Sequence, residues 1–194
     1  MIEYDELYEN VKNMLTEERF KHSERVVKRA IEFAKIYNVD IDTVKLVAIS
    51  HDIAKELTEE ENQEYISKYN IKLDDIEKAN KSLLHAKIGA YICKQKYGFT
   101  QDMVNSVRYH TTGRENMSIL EKIIYLADAT EEGRVEYKVS DYVDLIKEDI
   151  DKAMIEMSKM VINKLLKNNK LIHLDTINCY NYYNKLSIKY SVVK

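Results

Sequence analysis

The sequence predicts an all-α protein folded as a single helical bundle, and three observations carry that reading. The chain has no proline and only four glycines among 194 residues, so almost nothing interrupts a helix. Apolar residues recur at three- and four-residue intervals through most of its length. A Ser, Thr or Asp stands at the start of several of these runs, where its side-chain oxygen can cap a helix.

A first helix is expected from Ile2 to about Leu15. Thr16 caps a long second helix in which His22, Val26, Ala30, Phe33 and Tyr37 share one stripe, so His22 faces the core. Asp42 is read as the cap of the next helix, whose Val44, Val47 and Ala48 lead into His51-Asp52-Ile53-Ala54-Lys55. Thr58 and Glu61 make a capping box for a polar helix from Glu59 to Tyr69.

A helix over Lys81 to Tyr97 carries His85 and stops at Gly98. Thr100 opens one that ends at His110, where Thr111, Thr112 and Gly113 turn the chain. Ser118 and Glu121 make a second capping box for the helix from Ile119 to Glu132, which contains Asp128. After Gly133 a loop leads to Ser140 and a helix. A long amphipathic helix then reaches about Leu166, with Ile150, Met154, Met157, Val161 and Leu165 on one side, and the tail NCYNYYNKLSIKY reads as helical. No repeat or linker appears. One domain over 1–194 is therefore the economical reading, with its core at about 16–135 and helices at about 140–194 packed on it.

Hydrophobic residues make up 45% and charged residues 32% of the chain, as in an ordinary globular protein. The formal charge of −3 is spread along the chain and forms no basic stretch, which argues against nucleic acid as a partner. No apolar run approaches the ~18 residues of a membrane span. Cys93 and Cys179 lack CxxC pairing, so free thiols in a reducing compartment, the cytoplasm, are expected. Fifteen tyrosines could supply a homodimer interface near NCYNYY, although AT-rich coding bias would enrich tyrosine in the same way.

Five histidines occur, and four of them, His22, His51, His85 and His110, lie about 25 to 35 residues apart, each on or beside a predicted helix. A lone histidine on an apolar face is usually a core residue bonded to a neighbour, and a His-Asp doublet such as His51-Asp52 often arises by chance. Core packing does not, however, require four histidines and two aspartates on inward helix faces. Asp128 is the sharpest signal, because a carboxylate among Ile123, Ile124 and Leu126 needs a positive partner. Arginine or lysine could serve, but convergence with His51 and Asp52 favours a metal cation. Imidazole and carboxylate ligands without thiolate suit iron, manganese, cobalt or zinc.

The chain resembles the HD-domain phosphohydrolases, whose signature is a His, an adjacent His-Asp pair and a distant Asp, here His22, His51-Asp52 and Asp128. Within them it is similar to the YqeK-like group of symmetrical bis(5'-nucleosyl)-tetraphosphatases. The likeness spans nearly the whole chain and rests on RFKHSERV, SHDIAK, LLHAKIGA, YHTTG and MSILEKIIYLADATEEGR, of which HTTG and LEKIIYLAD are the more specific. Two departures are visible. No proline follows the glutamates of ADATEEGR, and none precedes Tyr180 and Asn181 in IHLDTINCYNYY.

The resemblance implies that His22, His51, Asp52 and Asp128 bind a first metal. It implies that His85 and His110 bind a second metal or contact phosphates, with Asp52 able to bridge. It favours iron, as one or two ions. It further places Arg19, Lys55, Thr111, Gly113, Ala129 and Arg134 among the phosphate or nucleotide contacts, and implies a small-molecule nucleotide substrate, diadenosine tetraphosphate, cleaved by metal-activated water to two ADP. Asp52 and Lys55 are the expected catalytic residues.

Each of the outer residues also has a plain structural explanation. Lys55 could simply favour a helix dipole, Arg19 could be a solvated charge, and Thr111 could cap a turn. Tyr180 and Asn181 read as packing, and His173 as structural or exposed. An HD-type nucleotidase or phosphodiesterase acting on another nucleotide is the alternative enzyme. A helical module whose metal is only structural or sensory is the non-catalytic one, though structural sites normally close with four protein ligands.

Overall fold

The computed structural model describes residues 2–134 and 138–192. Among the described residues there are eleven α-helices and no strand, in agreement with the all-α expectation. In chain order they are α1 (Tyr4–Met14), α2 (Glu17–Tyr37), α3 (Ile41–Ser50), α4 (Glu59–Lys68), α5 (Asp75–Ala79), α6 (Leu84–Tyr97), α7 (Gln101–Arg108), α8 (Ile119–Thr130), α9 (Val139–Glu148), α10 (Ile150–Lys167) and α11 (Leu174–Val192). None of the described helices is long and apolar enough to cross a membrane.

Helix α2 is central, packing on α3 and α8, while α7 joins α6 to α8, and α10 and α11 form a hairpin that reaches α8 and α9. Phe33 of α2, Ile49 of α3, Ile88 and Ile92 of α6, Met103 of α7 and Ile123, Ile124 and Leu126 of α8 are fully buried and fill the space between them. Each such side chain contributes about 1.5–3 kcal/mol on leaving water. On α10, Ile150, Met154 and Met157 are buried as the stripe predicts, while Val161 and Leu165 are only half-buried near the hairpin tip.

Caps set where these helices begin. Thr16 accepts from Arg19 N at 3.4 Å, and the Thr58–Glu61 box forms in both directions. Two cap assignments need correction. Asp40, not Asp42, caps α3, accepting from Thr43 N at 2.8 Å, so Asp42 falls in the first turn, where its charge suits the helix dipole. At α8, Ser118 accepts from Glu121 N at 3.1 Å, but the Glu121 carboxylate turns to Arg114, at 2.6 and 2.8 Å, and the box stays half made. A buried carboxylate gains more from a bidentate guanidinium than from one backbone amide.

Other boundaries differ as well. The predicted helix from Lys81 resolves into a 3₁₀ turn over Lys81–Leu83 and α6 proper, with the short α5 ahead of it. His51 and Asp52 lie past the end of α3, in a turn closed by Ile53 N to Ser50 O and Lys55 N to Asp52 O bonds. His110 likewise follows the end of α7, and the predicted end at Glu132 moves back to Thr130. At the other end of the chain, buried Tyr183 of α11 accepts from Met117 N at 3.0 Å, and buried His173 bonds Asp74 at 2.7 Å. The His173 contact ties the start of the last helix to the segment before α5 and makes that histidine structural.

Candidate metal centre

The carboxyl-terminal ends of α3, α7 and α8 meet beside the first half of α2 and the first turn of α6. His51 and Asp52 follow α3, His110 follows α7, Asp128 occupies the last turn of α8, His22 projects from α2 and His85 from α6. Helix C-termini carry partial negative charge, so this meeting point favours a cation.

The histidine rings are aimed by local backbone. Nδ1 of His51 bonds Ala48 O at 2.7 Å, Nδ1 of His110 bonds Val107 O at 2.8 Å, and Nδ1 of His85 bonds Ser82 O at 2.8 Å. The first two acceptors lie in the last turns of α3 and α7, whose carbonyls have no partner within the helix. One bond therefore caps a helix and leaves Nε2 directed into the site.

Asp52 stands at the middle. Its Oδ2 lies 3.5 Å from His51 Nε2, 3.7 Å from His22 Nε2 and 3.1 Å from Arg19 Nη1. Its Oδ1 lies 3.0 Å from His85 Nε2, 3.4 Å from His110 Nε2 and 4.0 Å from Lys55 Nζ. Asp128 Oδ1 lies 3.1 Å from His22 Nε2 and accepts from Arg134 Nη2 at 2.6 Å. The Asp128 side chain retains 19% exposure and has an arginine as its positive partner, one of the two kinds of partner the apolar run called for beside a metal cation.

Charge states follow from this packing. Burial pushes the His51 imidazole down to about 4 against the pull of Asp52, and does the same to His85, leaving neutral rings at neutral pH. Burial alone would raise the Asp52 carboxyl, but His51 and the close imidazoles of His110 and His85 hold it well below the usual carboxylate range. Asp128 is likewise held low against its burial, first by His22 and then by its neighbours His51 and the Arg134 guanidinium. Burial lowers the Lys55 ammonium, which sits 3.3 Å from His85 Nε2. Neutral imidazole and ionised carboxylate are the forms that bind metal.

Three buried atoms, His22 Nε2, His51 Nε2 and Asp52 Oδ1, have no hydrogen-bond partner of acceptable geometry despite these short separations. An unpaired buried polar atom costs about 1–3 kcal/mol, and three converging on one point are otherwise hard to account for. Ligand atoms of His22, His51 and Asp128 lie within 4.8 Å of one another, as do those of His51, Asp52 and His110. These residues could hold a divalent ion in either group, with His51 common to both.

Two clefts flank the Asp128–Arg134 pair. One of about 310 Å³ is lined by Thr16, Arg19, Arg25, Glu131, Gly133 and Arg134, and is rich in guanidinium groups. The other, of about 200 Å³, is lined by His110, Thr111, Tyr125, Ala129, Met160 and Lys164 among others, and mixes apolar with polar walls. Gly113 lies off both: its φ is +64°, and a Cβ there would come 2.7 Å from Cys179 Sγ. Asn181 is exposed and Tyr180 half-buried against the core.

Two residues with prominent places had no role in the sequence reading. Glu131 is buried with Oε1 3.3 Å from His22 Nδ1, and Arg25 donates to its Oε2 at 2.5 Å. The available signal was spacing: Glu131 follows Asp128 by three residues and Arg25 follows His22 by three, each one turn on.

An all-α bundle that gathers buried imidazoles and carboxylates from separate helices defines a class of helical protein suited to divalent metal. Residues 19–133 match the HD domain model, and the chain belongs to the HD-domain family of hydrolases. It is 40% identical over 88% of its length to a symmetrical bis(5'-nucleosyl)-tetraphosphatase of Halalkalibacterium halodurans, 91% of which is covered. The Bacillus subtilis protein of the same description is 35% identical, with 89% of this chain and 92% of that one aligned. The crystal structure of a Clostridium acetobutylicum protein, described as a predicted HD superfamily hydrolase involved in NAD metabolism, superposes with a TM-score of 0.90 at 35% identity, covering 95% of this chain and 98% of the other.

Proposed function

We propose that this protein is a metal-dependent hydrolase of dinucleoside tetraphosphates that cleaves diadenosine tetraphosphate symmetrically to two ADP. The observation that carries the reading is the convergence of the unpaired His22 Nε2, His51 Nε2 and Asp52 Oδ1 beside two clefts, in a chain 40% identical to an enzyme of that description. His22, His51, Asp52 and Asp128 would hold one ion, and His85 and His110 a second, with Asp52 shared between them. Iron is the proposed metal. When bound, it lowers the pKa of coordinated water and so supplies a nucleophile near neutral pH.

The chain's own groups do the rest. Water adds across the central P–O–P bridge, one phosphorus gaining the new oxygen and the other keeping the bridging one, so that each half leaves as a nucleoside diphosphate. Arg19 and Arg134 reach the larger cleft and would bind polyphosphate oxygens. Lys55, beside His85 and Asp52, would donate to a phosphate oxygen or to the attacking water. Thr111, whose buried Oγ1 lacks a partner, and Ala129 border the smaller cleft and would contact the nucleotide there. Gly113 would act one step back, by shaping the turn that carries Thr111.

The test is an assay of separated products from a panel of nucleotides, with iron, manganese and cobalt supplied in turn. Diadenosine tetraphosphate should give ADP alone. AMP with ATP would overturn the symmetrical assignment, and faster turnover of a nucleoside monophosphate or cyclic nucleotide would favour the nucleotidase or phosphodiesterase alternative. Metal analysis should find close to two ions per chain.

A further inference from the structure

Four histidines reach the centre, and their Nδ1 atoms are held in two different ways. His51, His85 and His110 each bond a backbone carbonyl three residues earlier, at 2.7–2.8 Å. His22 does not. It lies within α2, where carbonyls are engaged along the helix; Arg19 O, three residues earlier, also takes the Ser23 hydroxyl at 3.4 Å. Its Nδ1 instead faces Glu131 Oε1 at 3.3 Å, from a residue far along the chain.

Glu131 is built to stay where it is. It is 2% exposed, its Oε2 accepts from Arg25 Nε and Gly133 N, both at 2.5 Å, and Arg134 Nε lies 3.9 Å from Oε1. The turn runs close beside this contact: a Cβ on Gly133 would come 2.7 Å from the Arg25 guanidinium. The C-terminal end of α8 thus supplies Asp128 directly to the site and, three residues later, a carboxylate behind His22.

We propose that Glu131 is a positioning residue for the metal centre: by accepting Nδ1–H of His22 it selects that tautomer and turns the unpaired Nε2 toward the ion. This rests on the metal-dependent reading above. A carboxylate behind a ligating imidazole fixes ring orientation and raises ligand basicity, and losing one typically costs 10–100-fold in metal affinity. Arg25 and Gly133 N hold the carboxylate without touching the imidazole, so a change at Arg25 reaches His22 only through Glu131.

The experiment titrates the metal-free full-length chain with cobalt(II), using wild type, Glu131→Gln and Arg25→Gln, and records the imidazole tautomers of wild type and Glu131→Ala by long-range 15N–1H correlation. Expected are a loss of affinity of about 10–100-fold in Glu131→Gln, a smaller loss in Arg25→Gln, whose guanidinium only steadies that carboxylate, and a His22 signal that moves from the Nδ1–H form to a mixture in Glu131→Ala. Wild-type affinity in Glu131→Gln, or an unmoved His22 tautomer in Glu131→Ala, would overturn the proposal. If Glu131→Ala does not fold, the Glu131→Gln affinity decides alone. Failure of wild type to bind cobalt would instead remove the metal reading, and this proposal with it.

Discussion

Asp52 Oδ1 lies 3.0 Å from His85 Nε2, while the other oxygen of the same carboxylate faces His51 and His22 at 3.5 and 3.7 Å. One side chain thereby joins two histidine pairs drawn from α2, the turn after α3, α6 and the turn after α7. Substituting Asp52 and His85 should consequently have different effects. Asp52→Ala should lose both ions and lower kcat/KM by about a thousandfold, roughly 4 kcal/mol of transition-state stabilisation. His85→Ala should keep about one ion per chain. Elemental analysis beside an ADP-release assay, with circular dichroism as the check on folding, separates the two, and full activity in Asp52→Ala would exclude the bridging role.

Arg134 donates to Asp128 Oδ1 at 2.6 Å and to Asp128 O at 3.0 Å, and stands between the two clefts. Its fork can serve carboxylate and phosphate together, whereas an ammonium offers a point charge. Arg134→Lys should therefore raise KM for diadenosine tetraphosphate with little loss of bound metal, and Arg134→Ala should lower kcat/KM by about 10–100-fold, the value of one charge-assisted hydrogen bond of 1.5–3 kcal/mol. An unchanged KM in both variants would place the phosphate chain elsewhere.

Much of this arrangement was legible in the chain, for identifiable reasons. His22 lies on the 3.6-residue stripe of a long capped helix, so its inward direction follows from periodicity alone. Asp128 stood out as a carboxylate inside an apolar run. The end of the helix near His110 is legible from the turn that follows it, but the position of His51 past the end of α3 is not, because the bond that aims it runs to Ala48 O and replaces the turn that periodicity would continue. Glu131 and Arg25 were not found, since a contact between residues 106 apart is set by how α2 packs on α8. Asp40 and Asp42 offer the same capping chemistry two residues apart, so the sequence alone does not choose between them.

Gly98 and Gly113 both adopt positive φ, +68° and +64°, but their surroundings differ. Nothing lies within 4 Å of a Cβ at Gly98, while one at Gly113 would meet Cys179 Sγ at 2.7 Å and Cys179 Cβ at 3.2 Å. Gly98→Ala should cost only the left-handed conformation, about 1–2 kcal/mol. Gly113→Ala should cost more, because the overlap with α11 adds about 1–3 kcal/mol of overpacking. Urea unfolding of the two variants measures the difference. Equal losses would mean that α11 yields freely at Cys179.

The buried thiols predict how stability responds to alkali. Burial pushes Cys93 up to about 12, opposed by a hydrogen bond with Ser50, and pushes Cys179 up to about 11, opposed by Ser158 and the backbone of Arg114. In the unfolded chain both titrate near the ordinary thiol value of 9.0. Between that value and the folded one the native state keeps protons that the unfolded state has released, so rising pH favours unfolding. Stability from these thiols is fully present below about pH 9 and is lost as pH climbs through the folded values. For Cys93 the loss at pH 10 amounts to about 1.4 kcal/mol. The urea midpoint of wild type should fall between pH 8.5 and 10.5, and Cys93→Ala, although less stable at pH 7 by a small cavity, should fall less steeply over the same range. Native protein at pH 8 should also leave both thiols unmodified by an aromatic disulfide reagent until urea is added. Parallel pH slopes for wild type and Cys93→Ala would show that Cys93 does not carry the alkaline loss.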